Sequence, residues 1–288
     1  MMKDNLSLVA VGSNSLVAAE LHHILSSMLR LQLPIQEAIT TEIASNDSES
    51  FYICANTQGP ILAKIVPASH LFVFDLQPTT KFFLDIAQIP AGEKVLVFNN
   101  RTEYTQLLIK QCRELGINKL NFEPAAYEEL PVAELQKKLN EARYIIGVDA
   151  FTGSAVLQSK KYKAWLRPDV KIISGQRTAS VASANRLLLA LSEYYYFYFS
   201  MALTKLTMQA PPLYPLSKLS QNLQRVISDL QHSVLQTVTL QVTGRKAPMP
   251  ENKLQAEIIA SPTATVTTIR NQLEQLAFLK KKITQLTH

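Results

Sequence analysis

Four short polar segments carry the side chains best placed to hold a ligand. Gly12-Ser13-Asn14-Ser15 follows the apolar run Leu6–Val11 and opens an apolar helical pattern. A strand-to-helix turn of this kind offers free backbone N–H groups and the positive end of a helix dipole, both of which attract anions. Plain N-capping by Ser13 or Ser15 produces the same pattern. Asn99-Asn100-Arg101-Thr102 and Ser174-Gly175-Gln176-Arg177-Thr178 also lie at the ends of apolar runs. Arg101 and Arg177 are the two guanidinium groups suited to a ligand carboxylate or phosphate, because the planar fork binds such groups through paired hydrogen bonds. A surface arginine or a salt bridge between lobes is the competing reading. Asp149 closes the run Tyr144–Val148, and Thr152-Gly153-Ser154 then reads as a turn capping the next helix.

Signatures of catalysis are missing around these segments. The chain has only eight glycines, and neither G-x-G-x-x-G nor G-x-x-x-x-G-K-[ST] occurs. The five histidines, His22, His23, His70, His232 and His288, form no H-x-x-x-H, and no C-x-x-C is present. No metal site and no cofactor is therefore expected. There is no G-x-S-x-G elbow. Asp75 and Asp149 both end strands but make no convincing acid–base pair. The expectation is a binding protein and not an enzyme. The alternative is an α/β nucleotide-binding protein or enzyme that uses Gly12–Ser15 as a phosphate cradle.

Strand and helix patterns alternate from Leu6 to about Thr207. Strands are predicted at Leu6–Val11, Ile35–Ile43, Phe51–Ala55 and Leu71–Leu76, then at Val95–Asn99, Lys119–Phe122, Tyr144–Val148 and Val170–Ser174. Helices are predicted from the Gly12 turn to Leu31 and at Pro60–Val66, Thr79–Ala87, Arg101–Leu115 and Pro131–Ala142, with a polar loop at Ser45–Glu49. Gly116 stands where a C′ glycine would close the fourth of these helices. Uninterrupted apolar strands suit sheets covered on both faces, as in parallel sheets. Two series of four strands predict two lobes, residues 1–92 (joined by a helix near 180–208) and residues 93–179. A cleft between them is the natural ligand site.

The helix near 180–208 carries Tyr194-Tyr195-Tyr196-Phe197-Tyr198-Phe199, aromatics that cover every face. Glu193 and the phenolic hydroxyls argue against a membrane span. Pro211, Pro212 and Pro215 break the chain after it. Leu216, Leu219, Leu223, Val226 and Leu230 then fall at alternating spacings of three and four, and Val266, Ile269, Leu273, Leu276 and Ile283 repeat the pattern with Lys280 interrupting it. This spacing makes 209–288 a helical, coiled-coil-like region. A loop with Gly244, Pro248 and Pro250 would join its helices as an antiparallel hairpin, with ordinary helix packing as the competing reading. An exposed seam needs a partner. A homodimer mate or a regulatory protein is expected, bound through the aromatic helix 187–203 and the C-terminal helices.

The net charge of +6 belongs to the tail: residues 1–204 hold 19 basic and 19 acidic residues, and residues 205–288 hold 10 and 4. Direct nucleic-acid binding by that tail is a third reading, set against an ordinary solvated helix face. Cys54 and Cys112 read as buried thiols in a reducing compartment. The first residues show no secretory pattern, so the expected location is cytoplasmic.

Three segments, 72–127, 144–153 and 167–191, resemble in order the N-terminal effector-sensing segment of PrpR-like, RpoN-dependent bacterial transcription activators. The most telling pieces are Ile89–Asn99 (IPAGEKVLVFN) and Glu114–Pro124 (ELGINKLNFEP). The resemblance spans roughly residues 5–205. It implies two Rossmann-like, periplasmic-binding-protein-like α/β lobes with mostly parallel sheets, and here a C-terminal helical appendage. It also implies a small-molecule effector held by interlobe loops, mapped onto Asn99, Asn100, Arg101, Asp149, Gly175, Gln176 and Arg177, and a role in signal transduction and transcription regulation. The AAA+ and helix-turn-helix parts of that family have no counterpart in these 288 residues, so the resemblance implies a stand-alone or truncated sensor. A scaffold that has lost ligand binding is the remaining alternative.

Overall fold

A computed structural model of the chain describes residues 6–43, 50–208, 213–246 and 264–286. The polar loop expected at Ser45–Glu49 and the prolines Pro211, Pro212, Pro248 and Pro250 lie outside the described residues. The architecture is α/β, with two Rossmann-like lobes of parallel strands and a C-terminal helical part. The described residues fall into two compact units. One is drawn from Met1–Leu76, Ala179–Leu240 and Arg245–His288, the other from Gln77–Thr178 and Gln241–Gly244.

The first unit holds a four-stranded sheet in the order β2-β1-β3-β4. Its strands are β1 (Ser7–Gly12), β2 (Ile35–Ile39), β3 (Ser50–Ala55) and β4 (Leu71–Phe74), and every pairing is parallel. Helices α1 (Ser15–Met28) and α2 (Gly59–Leu62) follow β1 and β3. Leu8, Val9, Ala10 and Val11 are all buried, which is why β1 reads as a continuous apolar run and sits at the centre of the sheet. The second predicted strand stops at Ile39, where the 3-10 turn Thr40–Glu42 takes over.

The second unit repeats this plan as β7-β6-β8-β9. Its strands are β6 (Lys94–Asn99), β7 (Asn121–Ala126), β8 (Tyr144–Val148) and β9 (Lys171–Gly175), again all parallel. Around them lie α3 (Thr80–Ala87), α4 (Thr102–Glu114), α5 (Val132–Glu141), α6 (Asp149–Thr152) and α7 (Lys160–Lys163). Gly116, at φ +80°, closes α4 as expected, because only glycine takes that left-handed geometry at little cost. Its N–H reaches the Arg113 carbonyl at 2.9 Å. The unit begins at Gln77, earlier than the boundary near 92 drawn from the sequence. The reason is α3, which buries Phe82 and Ile86 with Val95, Val97 and Ile146 of the second sheet.

Two short strands escape sequence reading. β5 (Leu76–Pro78) and β10 (Arg177–Ala179) pair with each other where the chain leaves the first unit and where it returns. Three residues carry too little periodicity to register as a strand.

The long helices α8 (Val181–Met208), α9 (Leu213–Thr243, as far as Leu240) and α10 (Val266–Gln285) complete the first unit. They do not stand apart from the α/β core. Leu188 and Leu191 of α8, Leu223 and Leu230 of α9, and Ile269 and Leu276 of α10 share one hydrophobic cluster with Leu8, Leu25 and Ile53. The regular spacing of threes and fours is therefore used inside the unit: Leu223, Leu230, Ile269, Leu276 and Ile283 are fully buried. An exposed seam was the reason for expecting a coiled-coil partner there. The expected antiparallel hairpin is also replaced. Ser220 meets Gln272 at 2.9 Å and Gln272 meets Gln224 at 3.2 Å, while Ala264 N–H donates to Ser217 at 3.4 Å. Partner numbers rise together, so α9 and α10 run parallel. Against α8, α10 runs antiparallel, with Asn185 reaching the Leu286 carbonyl at 3.3 Å and Lys280 pairing with Glu193 at 2.8 Å.

Candidate functional site

Both sheets share the strand order second-first-third-fourth within their lobe, so each has one topological switch point, between its first and third strands. Chain leaves those two strands toward opposite sides, which opens a crevice at their carboxyl ends. In the second unit the crevice lies past β6 and β8. Asn99, Asn100 and Arg101 follow β6, Asp149 and Thr152 follow β8, and Gly175 and Gln176 close the neighbouring β9. Seven of the twelve residues picked from the sequence thus share one sheet edge.

Their environments differ in kind. Asn99 is buried; its Oδ1 accepts the Asn100 N–H at 2.8 Å and its carbonyl accepts the Tyr127 N–H at 2.9 Å. Those bonds make Asn99 a brace for the loop. Asn100 is half-buried, and its Oδ1 is shut off from solvent without a hydrogen-bond partner. A buried acceptor left unpaired costs about 1–3 kcal/mol, so this atom is one a ligand donor would satisfy. Arg101 is exposed at the start of α4. Thr152 is fully buried and hydrogen-bonds the Val148 carbonyl at 3.1 Å and Ser174 Oγ at 2.8 Å, so it fastens the edge and is not offered to a ligand. Asp149 and Gln176 are exposed. Gly175 is explained by packing: a Cβ there would stand 2.6 Å from the Phe82 ring. Arg177 sits half-buried inside β10 and already has interactions of its own.

A carboxylate already occupies part of this edge. Glu129 accepts the Thr102 backbone N–H at 3.0 Å. The Thr102 side chain and backbone, with the nearby Arg101 charge, hold this exposed carboxyl below its ordinary range. Glu129 thus fills the position an anion would take at the N-terminus of α4. Nothing in the spacing of 102 and 129 announces this in the sequence. Tyr127, also unforeseen, stacks on Phe98 with ring centres 5.1 Å apart and touches Phe151 and Tyr162. Burial, helped by Glu128 and Tyr162, pushes its phenol well above the ordinary value. This aromatic group stiffens the base of the crevice and leaves Tyr127 neutral.

In the first unit the crevice lies past β1 and β3, with Gly12, Ser13, Asn14 and Ser15 at its edge. Asn14 is the N-cap of α1, its Oδ1 accepting the Val17 N–H at 3.1 Å, where Ser13 or Ser15 had been expected. Ser13 and Ser15 are exposed. A Cβ on Gly12 would stand 2.3 Å from the Ala18 nitrogen, so the glycine answers to the tight turn. Thr40 Oγ1 links the turn after β2 to the end of β1 and to the loop after β3, within hydrogen-bond reach of the Gly12 carbonyl at 3.0 Å and of Gln58 Oε1 at 2.6 Å. Asn14 already spends its side chain on the helix.

Among the described residues no three His, Cys, Asp or Glu side chains gather as a metal-binding group, and no helix is long and apolar enough to cross a membrane. Burial raises both Cys54 and Cys112 to about 12, so neither thiol is primed as a nucleophile. Compared with known proteins, the chain matches no family model, no curated protein and no solved structure.

Proposed function

We propose that the protein is a non-catalytic sensor of a small anionic metabolite, bound at the carboxyl edge of the second unit's sheet. The observation that carries this reading is the unpaired, buried Asn100 Oδ1 beside Arg101 at the β6/β8 switch point. The ligand would offer a carboxylate or phosphate to Arg101 and an N–H or O–H to Asn100, the chemistry of a hydroxy acid, an amino acid or a sugar phosphate. To reach Arg101 it would compete with Glu129. The likeness of residues 5–205 to effector-sensing segments of transcription activators supports a regulatory output, relayed through α8 and the C-terminal helices to a second copy or to a regulatory protein. Phe197 and Met201 expose 68% and 61% of their surface on α8 and are the side chains such a relay would present.

The test is a thermal-shift screen of organic acids, amino acids, nucleotides and sugar phosphates on wild type, Arg101→Ala and Arg177→Ala. A ligand at one hundred times its Kd adds about 2.7 kcal/mol, a shift of several degrees. Loss of the shift in Arg101→Ala supports the site, and an unchanged shift in that variant overturns it. One observation favours a second reading: Gly12–Ser15 also stands at a switch point, where α/β proteins hold phosphates. Protection of the Ser13 amide from hydrogen exchange by ATP would favour it.

A further inference from the structure

The second unit contains a cavity of about 430 Å³, a size usual for small-molecule sites. It lies at the far end of α4 from Arg101; thirteen helical residues at 1.5 Å each put the two about 20 Å apart. Phe83, Leu84 and Ala87 of α3 face Leu115 and Ile117 beyond α4 to make its apolar wall. Leu84 and Leu115 each remain 60% exposed, a large apolar surface left at the rim of a concavity.

Gln77, Thr80 and Gln111 line this cavity as neutral groups that can donate or accept, and two further lining groups are open acceptors. Gln241, in the segment Gln241–Gly244 that spans the end of α9 and belongs with this unit, lines the cavity, and its Oε1 is shut off from solvent without a hydrogen-bond partner. Glu114 is the one charged side chain among the described lining residues, and its cation, Lys110, stands 3.7 Å away in an exposed pair. A pair so open is weak and leaves carboxylate oxygens available. An unpaired amide oxygen and a carboxylate, with no lysine, arginine or histidine among those lining residues, select for a donor and against an anion.

We propose that this cavity binds a small, mainly apolar amine, its ammonium group satisfying Gln241 Oε1 and Glu114 and its apolar body covering Leu84 and Leu115. The preference is opposite in charge to that of the β6/β8 edge, so the two sites answer to different ligands.

The experiment is an amide-NMR titration of the full chain with 2-phenylethylamine and, separately, with 3-phenylpropanoate, which has the same ring and an anionic end. The amine should move the amides of residues 80–87 and 111–117, and the acid should bind at least about tenfold more weakly. Gln241→Leu, which keeps the apolar shape and removes the acceptor, should weaken the amine about tenfold. Leu84→Lys, a change at an exposed rim position that the fold tolerates, should abolish the binding by placing a like charge at the mouth. Equal affinities for amine and acid, absence of amine shifts at those residues, or wild-type amine binding by both variants would each overturn the proposal.

Discussion

Thr152 Oγ1 lies 2.8 Å from Ser174 Oγ, which ties the loop after β8 to the end of β9. That bond joins two of the strand ends forming the proposed ligand edge, and it is fully buried on the Thr152 side. Thr152→Val keeps the shape of the side chain but removes the hydroxyl from Ser174 and from the Val148 carbonyl. The expected loss is about 1–2 kcal/mol, read as a lower midpoint in urea unfolding. Ligand shifts in the thermal screen should survive, since Thr152 braces the edge without touching the ligand.

Glu129→Ala separates occupancy of the α4 N-terminus from ligand affinity. Removing its carboxylate frees the Thr102 N–H and unburdens Arg101. Anion binding at the β6/β8 edge should tighten several-fold by calorimetry, as expected when an internal competitor at a helix N-terminus is removed. Weaker binding would mean that Glu129 itself contacts the ligand.

Gly147 lets β8 approach β6 at the switch point. A Cβ there would stand 2.4 Å from the Phe98 carbonyl oxygen and 2.8 Å from Thr152 Cγ2. Gly147→Ala should therefore destabilise the fold by about 1–3 kcal/mol, despite alanine's better chain entropy. Gly92→Ala makes the instructive comparison, because nothing stands within 4 Å of its missing Cβ and only its φ of +82° resists the change.

Two carboxylates give opposite pH signatures. Burial pushes the Glu123 carboxyl up, but hydrogen bonds from Lys138 and Lys94, with their charges, outweigh that and hold it below its ordinary 4.5. Its contribution is present above 4.5 and is lost as pH falls through the lowered value. Glu123→Gln should lower the Tm at pH 7 and flatten the acid limb of the stability curve. The cost should be about 1–2 kcal/mol, since Lys138 would keep only the more distant Glu134 carboxylate, 3.7 Å away.

Asp229 has the reverse sign. It stands 3.6 Å from Arg30, yet burial outweighs the attraction of Arg30, Arg225 and His232 and raises its carboxyl above the ordinary 3.8. The folded state prefers the protonated form, so its favourable share is present in acid and declines as pH rises from about 3.8 through the raised value. Asp229→Asn should leave stability unchanged or improve it by up to about 1 kcal/mol at pH 7, in contrast to Glu123→Gln.

Much of the architecture was legible because buried parallel strands must be apolar on both faces. Val95–Phe98 and Tyr144–Val148 are wholly buried, and both were read as strands from that feature alone. Gly116 and the run Asn99–Arg101 likewise declare a helix end and a loop at a strand's carboxyl end by residue type. The spacing of Leu223, Val226 and Leu230 showed that one face of α9 is apolar. It carried no information on what covers that face, and the fold covers it from within. Strand order, the parallel course of α9 and α10, and the meeting of Glu129 with Thr102 depend on contacts distant in the chain. So does the isolation of Asn100 Oδ1 and Gln241 Oε1. An amide in a sequence is only a group with hydrogen-bonding capacity; whether that capacity is spent or left open is decided when tertiary packing excludes water from around it.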